Sequence, residues 1–169
     1  PKCGIEVIQG NTEKDLDIFW HLHTETVKRQ GFVPFPRKHT EMEMQAYGLD
    51  CLIFSGKIED DFLSSSVILY DERAGYYHQG ASVYSKMPVS HATLWAAILE
   101  AKERGCREFN FWGICGEEEK KHPWFGLSKF KRGFGGEERN YMHVHEYPLT
   151  WKARLNSAVE KWRKWRRGY

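Results

Sequence analysis

The period of the apolar positions changes several times along this 169-residue chain, and the changes mark out its elements. Residues 5–9, Ile-Glu-Val-Ile-Gln, alternate as a half-buried strand does. Leu16, Phe19, Trp20, Leu22 (or His23) and Val27 then fall at near-helical spacing. They predict a helix capped by Asn11 or Thr12, running to about Arg29 and ended by Gly31. Residues 32–36, Phe-Val-Pro-Phe-Pro, read as an extended linker, because each proline disfavours helix at the residue before it. A second helix fits 38–47, with Met42, Met44 and Tyr47, and stops at Gly48.

Three strands follow at about 50–57, 62–70 and 75–84, with acidic turns at Glu59-Asp60-Asp61 and from Asp71 to Gly75. Ser90 is placed to cap a helix over 91–104 with Leu94, Trp95, Ile98, Leu99 and Ala101 on its apolar side. Gly105 stands where such a helix wants a left-handed residue. Residues 107–112, Arg-Glu-Phe-Asn-Phe-Trp, alternate polar and aromatic as a strand. A short helical segment, a strand at 140–147 and a helix from about Thr150 to Arg167 close the chain. The order is β-α-α-β-β-β-α-β-(short α)-β-α. Consecutive strands imply an antiparallel meander, and the crossover helix before 107–112 implies a parallel pair. The expected fold class is therefore α/β (α+β), a mixed sheet flanked by helices in a single domain over 1–169.

Composition narrows the class of protein. Hydrophobic residues at 41% and charged residues at 28% fit a globular chain able to bury a core. A net charge of +2 gives no global basic field for nucleic acid, yet Lys152 to Arg167 holds seven cations and the single acid Glu160. A local basic face of that kind can meet phosphates. The same segment spaces Trp151, Leu155, Ala158 or Val159, Trp162 and Trp165 as a packing stripe. Cys3, Cys51, Cys106 and Cys115 form no CxxC and fit a reducing compartment as small buried hydrophobes. No apolar run approaches the ~20 residues of a membrane span, and no signal-peptide pattern is visible. The chain opens at Pro1 rather than Met, as a fragment of a longer protein would.

The densest chemistry lies at 126–136, Gly-Leu-Ser-Lys-Phe-Lys-Arg-Gly-Phe-Gly-Gly. It sets Lys129, Phe130, Lys131, Arg132 and Phe134 among four glycines. Cations there can face a phosphate or a developing oxyanion, and aromatics can stack on a base. Glycines permit positive φ and close backbone approach. The bland reading of Lys131 is a surface lysine at a helix C-terminus, and that of Phe130 is a core ring. His143 and His145 share a strand face, but no third ligand at closing spacing supports a metal. Ser82 with His78 or His91 lacks the Gly-x-Ser-x-Gly elbow of a hydrolase.

The strand and helix order resembles the GNAT (acyl-CoA N-acyltransferase-like) superfamily. Ordinary members hold coenzyme A pyrophosphate at a glycine-rich turn before the central helix. Residues 80–90 lack that pattern, although Lys86 and Ser90 remain able to meet a phosphate, and this argues against acetyl-CoA.

Several motifs taken in order, over roughly 24–149, give a closer match. They are Thr24-x-x-x-Lys28-Arg29-Gln30-Gly31-Phe32, Gly80-Ala81-Ser82, Trp95-x-x-Ile98 and Ala101 to Cys106. Phe111-Trp112-Gly113-Ile114, the 126–136 segment and Tyr147-Pro148-Leu149 complete the set. Together they resemble the FemABX family of peptidoglycan-bridge aminoacyltransferases, specifically the second of its two GNAT-like halves. The resemblance implies transfer of an amino acid from aminoacyl-tRNA, a co-substrate and not a bound cofactor, to an amine of a UDP-linked or lipid-linked peptidoglycan precursor. It implies Lys131 as the catalytic cation beside Phe130. Arg132, Phe134, Arg29, Tyr77 and Trp112 are the accompanying substrate-binding candidates. It also implies a cytoplasmic location, peripheral contact with the inner membrane face, and a partner in the other GNAT-like half. Two rival functions remain open, an acyltransferase of this fold with another donor and a noncatalytic module binding cell-wall precursor or RNA.

Overall fold

A computed structural model describes residues 4–142, 145 and 147–167. The described residues divide into two compact units, one ending at Trp112 and the other beginning at Gly113.

The first unit is built on a five-stranded sheet of order β1-β2-β3-β4-β5. Its strands are β1 (Ile5–Gly10), β2 (Cys51–Ile58), β3 (Asp61–Tyr70), β4 (Ala74–Ser82) and β5 (Glu108–Asn110). The first four pair antiparallel and β4 pairs β5 in parallel; the sequence predicts the β2-β3-β4 meander and a parallel pair after the crossover helix, and the place of β1 beside β2 is new. Three helices flank them: α1 (Glu13–Gln30), α2 (Arg37–Tyr47) and α3 (Val89–Glu103).

Local chemistry explains most boundaries. Thr12 caps α1 through a capping box with Asp15, and Gly31 ends it at φ 70°. Gly105, at φ 81°, donates its amide to the Lys102 carbonyl while Cys106 donates to Ala101. That pair of bonds is the Schellman closure, so α3 ends where the glycine predicts. Ser90 corrects the expected start of α3. The helix begins at Val89 behind Pro88 and has no side-chain cap.

The core lies on both faces of the sheet. Leu16, Phe19 and Leu22 of α1 and Met44 of α2 pack on Cys51, Ile53, Val67 and Ala81. Burying a side chain such as Phe19 contributes roughly 1.5–3 kcal/mol. On the other face, α3 contributes Val89, Leu94, Ala97 and Ala101, all buried. Trp95 and Leu99 of α3, and Met42 and Tyr47 of α2, stand exposed, so half of the expected apolar positions on these helices do not enter the core.

The second unit carries α4 (Phe125–Arg132) and α5 (Trp151–Arg167). Two expectations change here. Of the strand expected at 140–147, residues 143, 144 and 146 (and with them His143) lie outside the described residues, and the described remainder is coil. The stripe on α5 is not a packed one, because Trp151, Leu155, Val159, Trp162 and Trp165 are all exposed. Periodicity fixes which residues share a helix face, but it does not supply a partner for that face.

Candidate active site

The 126–136 segment folds as α4 and its C-terminal turn. Ser128 and Lys131 are three residues apart and therefore share one face, and both are buried. That face meets the coil running from Gly113 to Gly116. Lys131 Nζ donates to the Gly113 carbonyl at 2.8 Å. The Cys115 amide donates to Ser128 Oγ at 2.9 Å, and Cys115 Sγ lies 3.3 Å from the same oxygen. Arg132 Nη2 donates to the Cys115 carbonyl at 2.8 Å. Three backbone groups of an irregular segment, the Gly113 carbonyl and the Cys115 amide and carbonyl, are thus secured by one helix, which satisfies polar atoms that a coil would otherwise leave unpaired.

The surface-lysine reading of Lys131 does not hold, since only 9% of the residue is exposed. Desolvation lowers its pKa from the ordinary lysine value. A cation with a lowered pKa in a poorly hydrated setting acts more strongly on nearby charge than a solvated one. Arg132 is held differently. Its Nε stands 2.5 Å from Glu138 Oε1 and 3.8 Å from Glu117 Oε1, and these carboxylates raise its pKa. It braces the Cys115 carbonyl and the 138 region at once.

Phe130 and Phe134 are half-buried and meet edge to face, with centroids 5.4 Å apart and planes at 84°. Of the four glycines in the segment, Gly135 alone uses the left-handed region, at φ 75°. Gly126 sits inside α4 with open space where a side chain would stand. The glycines therefore do not form a phosphate cradle.

The remaining candidates lie in the first unit. Arg29 is exposed in the last turn of α1. Tyr77 is half-buried, and enclosure of its hydroxyl pushes its pKa up to about 12, partly offset by a hydrogen bond with Ser66. Trp112 is exposed, lies 5.9 Å from the Tyr76 ring and takes φ 61°. A bulky residue at positive φ is strained, by about 1–3 kcal/mol. The structure thus gathers Phe130, Lys131, Arg132 and Phe134 in one unit and leaves Arg29, Tyr77 and Trp112 dispersed in the other.

Sequence reasoning did not find the Cys115–Ser128 pair. Its signal was present, because Ser128 sits one turn before Lys131 on the same helical face. A second polar group was also missed, in which Glu43 of α2 meets His78 and Gln79 of β4.

The FemAB family model matches residues 52–161. No curated protein matches the sequence. Among solved structures, FemX matches at TM-score 0.70 and 18% identity, covering 79% of this chain and 50% of FemX. An aminoglycoside acetyltransferase from an uncultured soil metagenomic sample, solved with sisomicin, matches at 0.61 and 14% identity over 88% of this chain and 99% of that one. A ribosomal-protein-alanine N-acetyltransferase from Brucella melitensis biovar Abortus 2308 matches at 0.56 and 10% identity, over 85% and 99%. At such identities these likenesses show the fold, a GNAT-like mixed sheet flanked by helices. The chain spans about half the length of FemX.

Proposed function

Because the chain belongs to the FemAB family, we propose that it transfers an amino acid from aminoacyl-tRNA to an amine of a peptidoglycan precursor stem peptide. The single observation that carries this reading is Lys131, buried, with a lowered pKa and fixed by the Gly113 carbonyl. Aminoacyl transfer needs three things. The attacking amine must shed a proton, since a free lysine amine has a pKa of about 10.4. The tetrahedral oxyanion must be stabilised. The ester end of the donor must be held in place.

Lys131 serves the second need, with its ammonium facing the oxyanion that forms at the ester carbonyl. Phe130 and Phe134 supply an aromatic edge for the terminal base of the donor. Arg132 keeps the Cys115 carbonyl and, through it, the Lys131 coil in place. Arg29, Tyr77 and Trp112 are assigned to the acceptor side. The acceptor is UDP-linked or lipid-linked, and the work takes place in the cytoplasm at the inner membrane face. Among the described residues, no helix is long and apolar enough to cross a membrane.

The half-length match to FemX supports a cleft completed by a second GNAT-like half. On α5, Lys152, Arg154, Lys161 and Arg163 offer exposed cations to tRNA phosphates, while the exposed tryptophan stripe offers an apolar surface to that half. Affinity for tRNA should then fall steeply with salt.

The test is transfer from charged tRNA by Lys131→Ala in a protein that carries both GNAT-like halves, with an expected loss of roughly 100- to 1000-fold, the effect of removing one oxyanion donor. Near-normal turnover would sink the assignment. The acetyltransferase likenesses favour a second reading, a different acyl donor on the same fold. Saturable coenzyme A binding with no transfer from charged tRNA would select it.

A further inference from the structure

Two loops of the first unit leave the same end of the sheet. Thr26, near the end of α1, accepts the Ser82 amide at 3.0 Å, and its hydroxyl lies 3.1 Å from the Ser82 carbonyl. Ser82 is the last residue of β4. The helix therefore runs out beside the strand, α1 into residues 31–36 and β4 into residues 83–88.

Both loops hold apolar side chains in solvent. Val33 is 95% exposed and Phe35 68%, and Tyr84 and Met87 are exposed on the second loop. Phe32 leans edge-on against His23 with centroids 5.9 Å apart, and the Phe35 ring lies 4.7 Å from that of His39. The first loop is thus pinned on both sides, with Val33 at its tip. Pro34 and Pro36 carry no N–H, and the Pro36 carbonyl accepts the His39 amide at 2.8 Å. Few backbone groups at this tip would lose water on entering an apolar phase.

Charge around the tips has one sign. Residues 26–40 and 83–99 contain no Asp or Glu, in a chain that has 23 of them. Lys28, Arg29, Lys38 and Lys86 flank the tips and are exposed. Acids in the neighbouring turns are engaged, Glu25 by Lys28 at 2.8 Å, and Asp17 and Glu41 by Arg37 at 2.6 and 2.9 Å. An apolar protein face would match the tips and leave the cations unanswered. RNA would match the cations and stack on Phe35 or Tyr84, but Val33, the most exposed of these side chains, has no π-face. An anionic bilayer matches every part, with apolar tips under the headgroups, rings at the interface and cations at lipid phosphates.

We propose that loops 31–36 and 83–88 seat the protein on an anionic bilayer, with Val33 and Phe35 below the headgroups and Lys38 and Lys86 against lipid phosphates. The proposal deepens the membrane-face part of the reading above and rests on that part, not on the transfer chemistry. Arg29, assigned above to the acceptor side, precedes the first loop by two residues, so a lipid-linked acceptor meets it on the surface that carries that acceptor.

Sedimentation of the full chain with phosphatidylcholine vesicles, with and without phosphatidylglycerol, tests this. Binding should require phosphatidylglycerol and weaken as salt rises. Val33→Asp with Phe35→Asp should cut it roughly 10-fold or more. Lys38→Gln and Lys86→Gln should each cut it roughly fivefold. All four positions are exposed, so the urea midpoint should stay at the wild-type value and show that the variants fold. Trp162→Asp on α5 should bind as wild type. Absence of binding to phosphatidylglycerol vesicles overturns the proposal. So does wild-type binding by the Val33→Asp, Phe35→Asp protein, or loss of binding in Trp162→Asp alone, which would place the contact on α5. Transfer from charged tRNA, assayed in a protein with both GNAT-like halves, separates the two readings. Vesicle binding without transfer upholds the surface and fails the chemistry, and transfer without vesicle binding does the reverse.

Discussion

Lys131 Nζ and the carbonyl oxygen of Gly113 lie 2.8 Å apart, eighteen residues distant in sequence, and the bond ties α4 to the coil that begins the second unit. Burial lowers the lysine pKa, which fixes the sign of a pH effect. Below the lowered value both folded and unfolded chains carry the ammonium, and the fold bears the full desolvation cost. Between that value and the ordinary one, the unfolded chain binds the proton and the folded chain does not, so stability rises with pH. Lys131→Met abolishes this dependence. Urea unfolding of both proteins from pH 7 to pH 10 should show wild type gaining on the variant as pH rises. Parallel curves would show that Lys131 titrates normally.

Ser128 is the second fastening of that coil, and its hydroxyl oxygen accepts the Cys115 amide in a buried setting. Ser128→Ala leaves the amide without its acceptor, at a cost of about 1–3 kcal/mol. The urea midpoint should drop with the m-value unchanged. An unchanged midpoint would mean that the amide finds another partner.

The parts of this fold legible in the sequence are those set by local chemistry. Asn11 or Thr12, Gly31 and Gly105 announced the helix ends because caps depend on a few neighbouring residues, although the Asp15 half of the capping box was not foreseen. The β2-β3-β4 meander followed from alternation and turn chemistry, whereas the place of β1 beside β2 did not. The candidate site was legible as a cluster of residue types, since Phe130, Lys131 and Phe134 fall within five positions. What Lys131 touches was not legible, because Gly113 reaches it through a coil with no periodicity. The bulge of β4 at His78, where Val67 pairs with Gln79 and Ile68 with Tyr77, was hidden for a similar reason. It depends on the register of β3 against β4, which no window on one strand contains. The exposed stripe of α5 shows the converse limit, a pattern correctly seen whose burial needs a surface that the pattern does not name.

His23 on α1 is buried between the rings of Phe19 and Trp20, at 5.3 and 5.1 Å, with Phe32 edge-on at 5.9 Å. Its Nδ1 is the buried side-chain polar atom without a partner among the described residues, and desolvation lowers its pKa. In the window between that lowered value and the ordinary histidine value, the unfolded chain binds more protons than the folded one. Stability therefore falls as pH drops through that window. His23→Phe keeps an aromatic in the stack and should remove this part of the acid sensitivity. Thermal melts from pH 7.5 to pH 4.5 test it, and identical slopes for the two proteins would contradict the desolvated histidine.

Gly56 of β2 lies directly against Val89 and Thr93 of α3. A Cβ added there would collide with Thr93 Oγ1 and stand 2.7 Å from Val89 Cγ1. Neither neighbour can swing aside, because Thr93 and Val89 are both buried and Thr93 Oγ1 donates to the Val89 carbonyl at 2.9 Å. Gly56→Ala must push α3 off the sheet, which costs about 1–3 kcal/mol as overpacking does elsewhere. The strain has a named origin, so it has a named relief. Thr93→Ala introduced into the Gly56→Ala background removes the colliding oxygen and should recover part of the loss, although Thr93→Ala alone destabilises. A double-mutant cycle by urea unfolding should therefore return a favourable coupling between the two substitutions. Simple additivity would show that α3 adjusts to the new methyl without pressing on Thr93.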